Sequence, residues 1–363
     1  MRKYLYFIVF VILTFFANAC KNSLDKELYK AKTHEIAQKA NIPLIQLHYS
    51  SPQGSVTFET AQSDFMTASE ECGTVFQAAS LSKVVFAYIV LRMVDKGEMD
   101  LDKPLVNYTD IERFVSKEEA GVITARMVLS HKTGLPNWSA GPSSAEWPTS
   151  PIKFLFRPDS TFAYSGEGFA FLQRAVEKIK GKSLQEIVME EVFIPLKMTK
   201  SCYGWLDIYD QCAVEGFNKE GVGRGKVAYP RENAAYTLMT NCSDYSKFLD
   251  AIIAGKGLKK ETRREFFTSE VKAKRYSNRE RPSDSFIDWG LGIGIEHNPE
   301  LGDIYFHWGD NGVYKALFVI VPSQKSYLLY FTNSAYGHSM IDELMPVYFN
   351  NTKPLAISGW IND

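Results

Sequence analysis

Hydrophobic positions follow two rhythms along this chain. Near the amino end, "IPLIQLHYS" and "GSVTFETAQ" are β-rich runs separated by the turn signal "SPQ", and they predict a strand pair that begins a sheet. From Ser80 the spacing changes: in "LSKVVFAYIVLRMVDKG" apolar residues recur at three and four, which predicts a helix, and Gly97 is a natural stop. A helix is also expected near residues 26 to 40. Between about 101 and 285 the pattern is mostly helical, as in "GFAFLQRAVEKIKG" and "DYSKFLDAIIAGKG", joined by loops containing Pro and Gly. Strand character returns in "WGLGIGIEH", "DIYFHWG", "YKALFVIVP" and "SYLLYFTNS", and a last helix is expected from about His338. Strands at both ends around a helical middle imply an α+β fold: one lobe is a mostly antiparallel sheet flanked by helices, and the other is a largely helical insertion. Sites favour the seam between such lobes.

Composition narrows the class. At 363 residues, 45% hydrophobic and 13% aromatic, the chain has ample material for a large core, and its formal charge of -1 lacks long blocks of one sign. Nucleic acid is therefore not an expected partner. The densest basic stretch, residues 271 to 282, reads as a solvated loop or helix face.

The first twenty residues have the parts of an export signal: Arg2 and Lys3, an apolar run from Tyr4 to Phe16, and small residues before Cys20. Residues 1 to 19 read as a signal peptide, and residues 20 to 40 as a lipid-anchor stalk and linker. Residues 41 to 363 then form the folded domain. Cleavage after Ala19 by an ordinary signal peptidase and acylation of Cys20, as in a bacterial lipoprotein, are both open, and acylation is the favoured reading. It places the protein outside the cytoplasm on a membrane surface. Setting Cys20 aside leaves Cys72, Cys202, Cys212 and Cys242, an even number suited to an oxidising compartment. Cys202 and Cys212 are spaced to pair, with buried free thiols the alternative. No C-x-x-C pair exists and "HEIAQ" lacks a second histidine, so neither a metal nor another cofactor is expected.

Candidate chemistry centres on "FQAASLSKVVFAYIV", residues 76 to 90. A serine hydroxyl is a poor nucleophile until something takes its proton, and lysine serves as a base only when its proton affinity falls. Three residues apart on a helix, Ser80 and Lys83 share a face, and the apolar run around them would bury the lysine stem. Ser82 points elsewhere and is expected to support local hydrogen bonds. "NWSAG" half matches a nucleophile elbow but lacks its first glycine and the strand–helix alternation of that fold.

This motif resembles the first motif of class C serine β-lactamases, low-molecular-mass penicillin-binding proteins and the related family VIII-type esterases. The resemblance continues in order through "MVLSHKTGLPNW", "FRPDSTFAYSGEGFAFLQRAVEKIKGKSLQEIVMEEVFIPLKM", "NAAYTLMTNCSDYSKFL" and "FHWGDNGVYKALFVIVP", covering roughly residues 40 to 335. It implies a β-lactamase/DD-peptidase-like fold with Ser80 as the acylated nucleophile, Lys83 as its partner, and Tyr164 as a proton shuttle whose ionised form a nearby ammonium favours. His307 to Gly309 would be the third motif on a strand lining the site. The backbone N–H of Asp310 would join that of Ser80 as the oxyanion hole.

Two positions depart from the family pattern. Gly166 stands where the second motif usually has asparagine, with Glu167 a candidate to compensate, and His307 replaces lysine. Asp310 adds a carboxylate expected to repel anions or meet an amine. The resemblance therefore implies an exported serine hydrolase acting on an ester or a D-amino-acid-type amide, small-molecule or peptide in kind. A β-lactamase or DD-peptidase, and a non-catalytic cell-wall receptor, are the alternatives.

Overall fold

A computed structural model describes residues 24 to 62, 73 to 276 and 279 to 362. Eight strands form an antiparallel sheet in the order β2-β1-β10-β9-β8-β7-β6-β5. They are β1 (Leu44–Ser51), β2 (Gly54–Ala61), β5 (Val271–Lys272), β6 (Ile287–Trp289), β7 (Gly294–Asn298), β8 (Gly302–Asp310), β9 (Lys315–Val321) and β10 (Ser326–Thr332), while β3 (Phe76–Gln77) and β4 (Met239–Thr240) form a separate pair. The two chain ends meet inside the sheet, where β1 pairs with β10 from Ile45↔Thr332 to Ser50↔Tyr327. Every residue of β9 and β10 is buried, because helices cover both faces of these central strands; their sequences are accordingly near-continuous apolar runs. At the edge, β2 alternates between buried and open positions.

The helices Lys26–Lys39, Ile341–Tyr348 and Ala356–Asn362 cover one face, against Ile45, Leu47, Leu317, Val319, Leu328 and Tyr330. On the other, Ser82–Asp95 and Cys242–Ala254 pack on Ala316, Phe318, Leu329 and Phe331. The first helix is thus part of the outer layer rather than a linker: its Thr33 hydroxyl meets the Tyr348 hydroxyl at 2.6 Å, and Ile36 and Ala37 are buried. The helical lobe also closes sooner than expected, since the sheet resumes at Val271. The stretch that starts there is only partly solvated, because Ala273 is fully buried. Cys20 and the export segment lie outside the described residues, as does Cys72. Among the described residues no helix is long and apolar enough to cross a membrane.

The expected Cys202–Cys212 pairing does not form. Cys212 is disulfide-bonded, but Cys202 and Cys242 are free and buried. Backbone pairing holds the two apart: Cys202 exchanges hydrogen bonds with Met239, whereas the Cys212 carbonyl accepts from Val75 N. The Cys202 sulfur instead accepts from Gly204 N at 3.3 Å.

Helix Ser82–Asp95 carries Lys83 and ends where the sequence indicated, with Gly97 left-handed at φ 72°. Its far end is fixed by charge. Glu191, with its side chain 8% exposed, receives Arg92 at 3.0 Å, Lys96 at 2.6 Å and Lys180 at 3.5 Å. Three cations around one shielded carboxylate tie this helix to the helix Gly166–Lys180. Glu191→Ala leaves those cations without their acceptor, so a denaturant midpoint should fall by the equivalent of about 2–3 kcal/mol. A loss under about 0.5 kcal/mol would mean the cluster is merely a surface pairing.

Candidate active site

The nucleophile turn is built before the helix begins. Phe76–Gln77 pairs with Met239–Thr240, and Ala78 N donates to Leu238 O at 2.8 Å. A short 3-10 turn, Ala79–Leu81, then presents Ser80, so the serine precedes the α-helix that starts at Ser82. Ala79 adopts φ 48°, a left-handed conformation that costs an L-residue about 1–2 kcal/mol. Its surroundings enforce it. Ser82 Oγ donates to Ala79 O at 2.5 Å and accepts from Leu238 N at 3.1 Å, which is the supporting role expected of that serine. Strand β8 presses from the other side: a Cβ on Gly309 would strike the Ala78 carbonyl and lie 3.1 Å from Ala79 Cβ. Only glycine fits there, and the residue after it, Asp310, is brought beside Ser80.

Lys83 is 1% exposed, and its amine donates to Ala235 O at 2.8 Å and to Ser80 Oγ at 3.3 Å. No carboxylate pairs with it among the described residues. It sits 4.7 Å from the centre of the Tyr164 ring and 5.5 Å from that of Phe169. Burial alone pushes its pKa well below the ordinary lysine value. A lowered proton affinity is what a lysine needs to serve as a base.

Tyr164 differs from expectation. Its hydroxyl is buried and has no partner in hydrogen-bonding geometry, although the Ser80 hydroxyl and the Arg275 guanidinium offset part of the cost of ionising it. Desolvation dominates and pushes its pKa up, so the resting tyrosine is a neutral phenol and not a phenolate. His307 is not on the pocket wall. It is fully buried behind Tyr164, with ring centres 6.2 Å apart, and its Nδ1–H donates to Trp308 O at 2.8 Å. Burial, then the nearby Lys83, lower its pKa to about 3, so it is neutral across the physiological range. His131, given no role from sequence, lies closer, 4.3 Å from the Tyr164 ring, and its Nδ1 accepts from Ser165 N at 3.1 Å.

Gly166 and Glu167 act as parts of one brace. A Cβ on Gly166 would fall inside the Trp138 indole, 2.7 Å from Cε2, so the missing asparagine side chain is replaced by an aromatic wall. Glu167, 1% exposed, does not reach the pocket. Its carboxylate accepts from Ser139 N at 3.0 Å, Ser139 Oγ at 2.6 Å and Trp147 Nε1 at 2.7 Å, and pairs with Arg113 at 3.3 Å. It thus anchors the loop that carries Trp138 and offers the substrate nothing. Asp310 stands at the pocket rim, but its carboxylate accepts from Gly312 N at 2.8 Å and pairs with Lys315, which neutralises it.

The resulting cleft encloses about 210 Å³ around Ser80 and Lys83, walled by Trp138, Tyr229, Tyr236 and Asn311. Asn311 Nδ2 donates to Tyr229 OH at 2.8 Å and Gln77 Oε1 at 3.0 Å, fixing the far wall. A larger cavity, about 880 Å³, lies under the helix Cys242–Ala254 and touches none of these groups. Arg275, from the supposed solvated stretch, lies 4.9 Å from the Trp308 ring centre and 5.4 Å from that of Trp360.

Residues 60 to 345 match the Beta-lactamase family model. The chain belongs to that family. Among curated relatives, Penicillin-binding protein 4* of Bacillus subtilis is 22% identical over 290 residues, covering 72% of this chain and 61% of its own. The chain thus spans about three-fifths of that relative. Among solved structures, a D-stereospecific amidohydrolase from Streptomyces superposes with TM-score 0.73 at 16% identity, covering 89% of this chain and 99% of the other. A class C beta-lactamase gives 0.73 at 15% identity, covering 92% and 98%. At such identities the structures bear on the fold, and the fold is that of this family. Ser80, Lys83 and Tyr164 stand together where that fold opens its cleft.

Two outcomes test these assignments. Lys83→Met should lower turnover by about 10²–10⁴-fold and stabilise the protein against heat. Above about pH 10.5 the lysine is neutral folded or unfolded, and burial carries no proton penalty. Below that pH the unfolded chain binds the proton and the folded one resists, so the thermal advantage of Lys83→Met should grow as pH falls from 10 toward 7. A pH-independent difference would place a charged amine in the folded protein. Separately, Glu167→Ala should cost about 3 kcal/mol and red-shift tryptophan emission as the loop with Trp138 and Trp147 loosens; unchanged emission would remove Glu167 as its anchor.

Proposed function

We propose that this protein is an exported serine hydrolase that forms an acyl-enzyme on Ser80 and cleaves a small carboxylic ester or D-amino-acid-type amide. The observation that carries the reading is the buried Lys83 amine, unpaired with any carboxylate among the described residues and 3.3 Å from Ser80 Oγ. Neutral Lys83 takes the serine proton as Oγ attacks the carbonyl carbon. The oxyanion forms between the backbone N–H groups of Ser80 and Asp310. Tyr164, a neutral phenol at rest, donates to the leaving group and recovers its proton from Lys83, and water then releases the acid by the same route reversed.

Three features favour a small neutral acyl group. The cleft holds about 210 Å³, Trp138 occupies the direction of a side chain at 166, and the Asp310 carboxylate is already matched by Lys315. The name of the Streptomyces amidohydrolase is consistent with a D-amino-acid amide. The names of the Bacillus relative and the class C enzyme keep peptidoglycan and β-lactam substrates as the second reading. Export is supported by the amino-terminal pattern ending at Cys20 and by the disulfide at Cys212, a bond of oxidising compartments.

The test uses Cys20→Ser protein lacking residues 1 to 19 with nitrophenyl esters, D-alanyl amides and a cephalosporin, followed by turnover and intact mass. Wild type should turn over esters and show a transient adduct, and Ser80→Ala should lose at least about 10³-fold. Equal ester turnover by Ser80→Ala ends the proposal, a persistent adduct without turnover indicates a receptor, and fastest turnover of the cephalosporin promotes the second reading.

A further inference from the structure

One amide at the cleft is held at one end and open at the other. Asn137 lines the same cavity as Ser80 and is exposed there. Its backbone carbonyl accepts from both Gly166 N at 3.1 Å and Glu167 N at 3.0 Å, the first two residues of the helix Gly166–Lys180. Its side-chain Oδ1 also accepts from Gly166 N, at 2.9 Å. An N–H can only donate, so this bond fixes which end of the amide is oxygen and turns the NH2 group the other way. Among the described residues that NH2 has no protein partner.

Several other polar groups of the cleft bond to protein neighbours. Ser143 Oγ meets Tyr236 OH at 3.2 Å, Tyr229 OH donates to Gln77 Oε1 at 2.6 Å, and Asn311 Nδ2 is spent on Gln77 and Tyr229. Asp310 is paired with Lys315 and with Gly312 N. Gly166 has no side chain, and Trp138 fills the space one would take. Beside the Ser80–Lys83 pair, the Asn137 NH2 is a neutral donor whose orientation the clamp on Gly166 N fixes. Such a group discriminates strongly, because an acyl chain with no acceptor leaves it unpaired when water is expelled.

We propose that Asn137 is the specificity-determining residue for the acyl group: its side-chain NH2 donates to a carbonyl oxygen on the acyl portion, so N-acylated amino acids are preferred over plain alkyl acids and over free amino acids. The assignment rests on the proposed Ser80 acyl-enzyme. Asn137→Asp keeps an oxygen to accept from Gly166 N–H and so retains the clamp, while the outward donor becomes an acceptor carrying negative charge. Asn137→Ala removes both.

The experiment compares kcat/KM for nitrophenyl esters of butyrate, N-acetyl-D-alanine and D-alanine, with one leaving group throughout. Wild type should favour the N-acetyl ester over butyrate. Asn137→Ala should reduce that ratio about tenfold. In Asn137→Asp the N-acetyl ester should fall at least as far, and the D-alanine ester, with its free ammonium, should overtake it. Ratios within twofold of wild type in Asn137→Asp, or equal losses on all three esters, make Asn137 a structural clamp and overturn the assignment alone. Wild-type turnover matched by Ser80→Ala, or absent for every ester, overturns the hydrolase reading and this assignment with it. Should Asn137→Ala not fold, Asn137→Asp decides the question.

Discussion

An amine buried without a counter-charge governs this structure. Removing Lys83 from water disfavours its charged form, and no carboxylate among the described residues restores it. The chain loosens the amine's hold on its proton and gives it one carbonyl, that of Ala235. Everything adjacent is arranged around that choice. Phe169 and Tyr164 shield the amine, His131 and His307 stay uncharged behind them, and Ala79 is held in a strained backbone so that Ser80 faces the amine. A carboxylate placed beside Lys83 would hold the proton on it.

Neutrality extends through the shell behind the reacting groups. The histidines have complementary tautomers: His131 accepts at Nδ1, so its proton is on Nε2, whereas His307 donates from Nδ1 and keeps a free lone pair on Nε2. Both Nε2 atoms are buried and unpartnered, as is the Tyr164 hydroxyl. Trp289 packs against all three rings. An apolar, uncharged backing of this sort keeps the dielectric low at the cleft, and there each fixed donor counts for more.

Local chemistry was the part of this legible in the sequence. The three-residue spacing of Ser80 and Lys83, the continuous apolar runs that became β9 and β10, and the stop at Gly97 each depend on neighbours along the chain. The ordered motifs pointed to Tyr164 and Gly309, each tied to a recognisable turn or strand, and the fold sets them beside Lys83 and the Ala78–Ala79 turn. What escaped notice depends on residues far apart in sequence. Gly166 is glycine because Trp138, 28 positions earlier, occupies its side-chain space, and Glu167 looked available until Ser139, Trp147 and Arg113 claimed it. The burial of His307 and the stacking of Arg275 on Trp308 likewise follow from layers that no linear pattern encodes. Cys202 and Cys212 are close in sequence, yet backbone pairing to different segments keeps them separate.

The pairing of β1 with β10 sets an order of assembly. A strand from the first fifty residues must wait for one near residue 330 before the sheet closes, and contacts of such long separation form late. The helical middle, made of shorter-range contacts, can gather first. Because Gly309 on β8 is what braces the Ala78–Ala79 turn, a nascent chain shorter than about three hundred residues has Ser80 and Lys83 in sequence but not in register. The Ser80 turn therefore takes its final form only when the last strands dock, and the geometry of the cleft is among the last features the chain acquires.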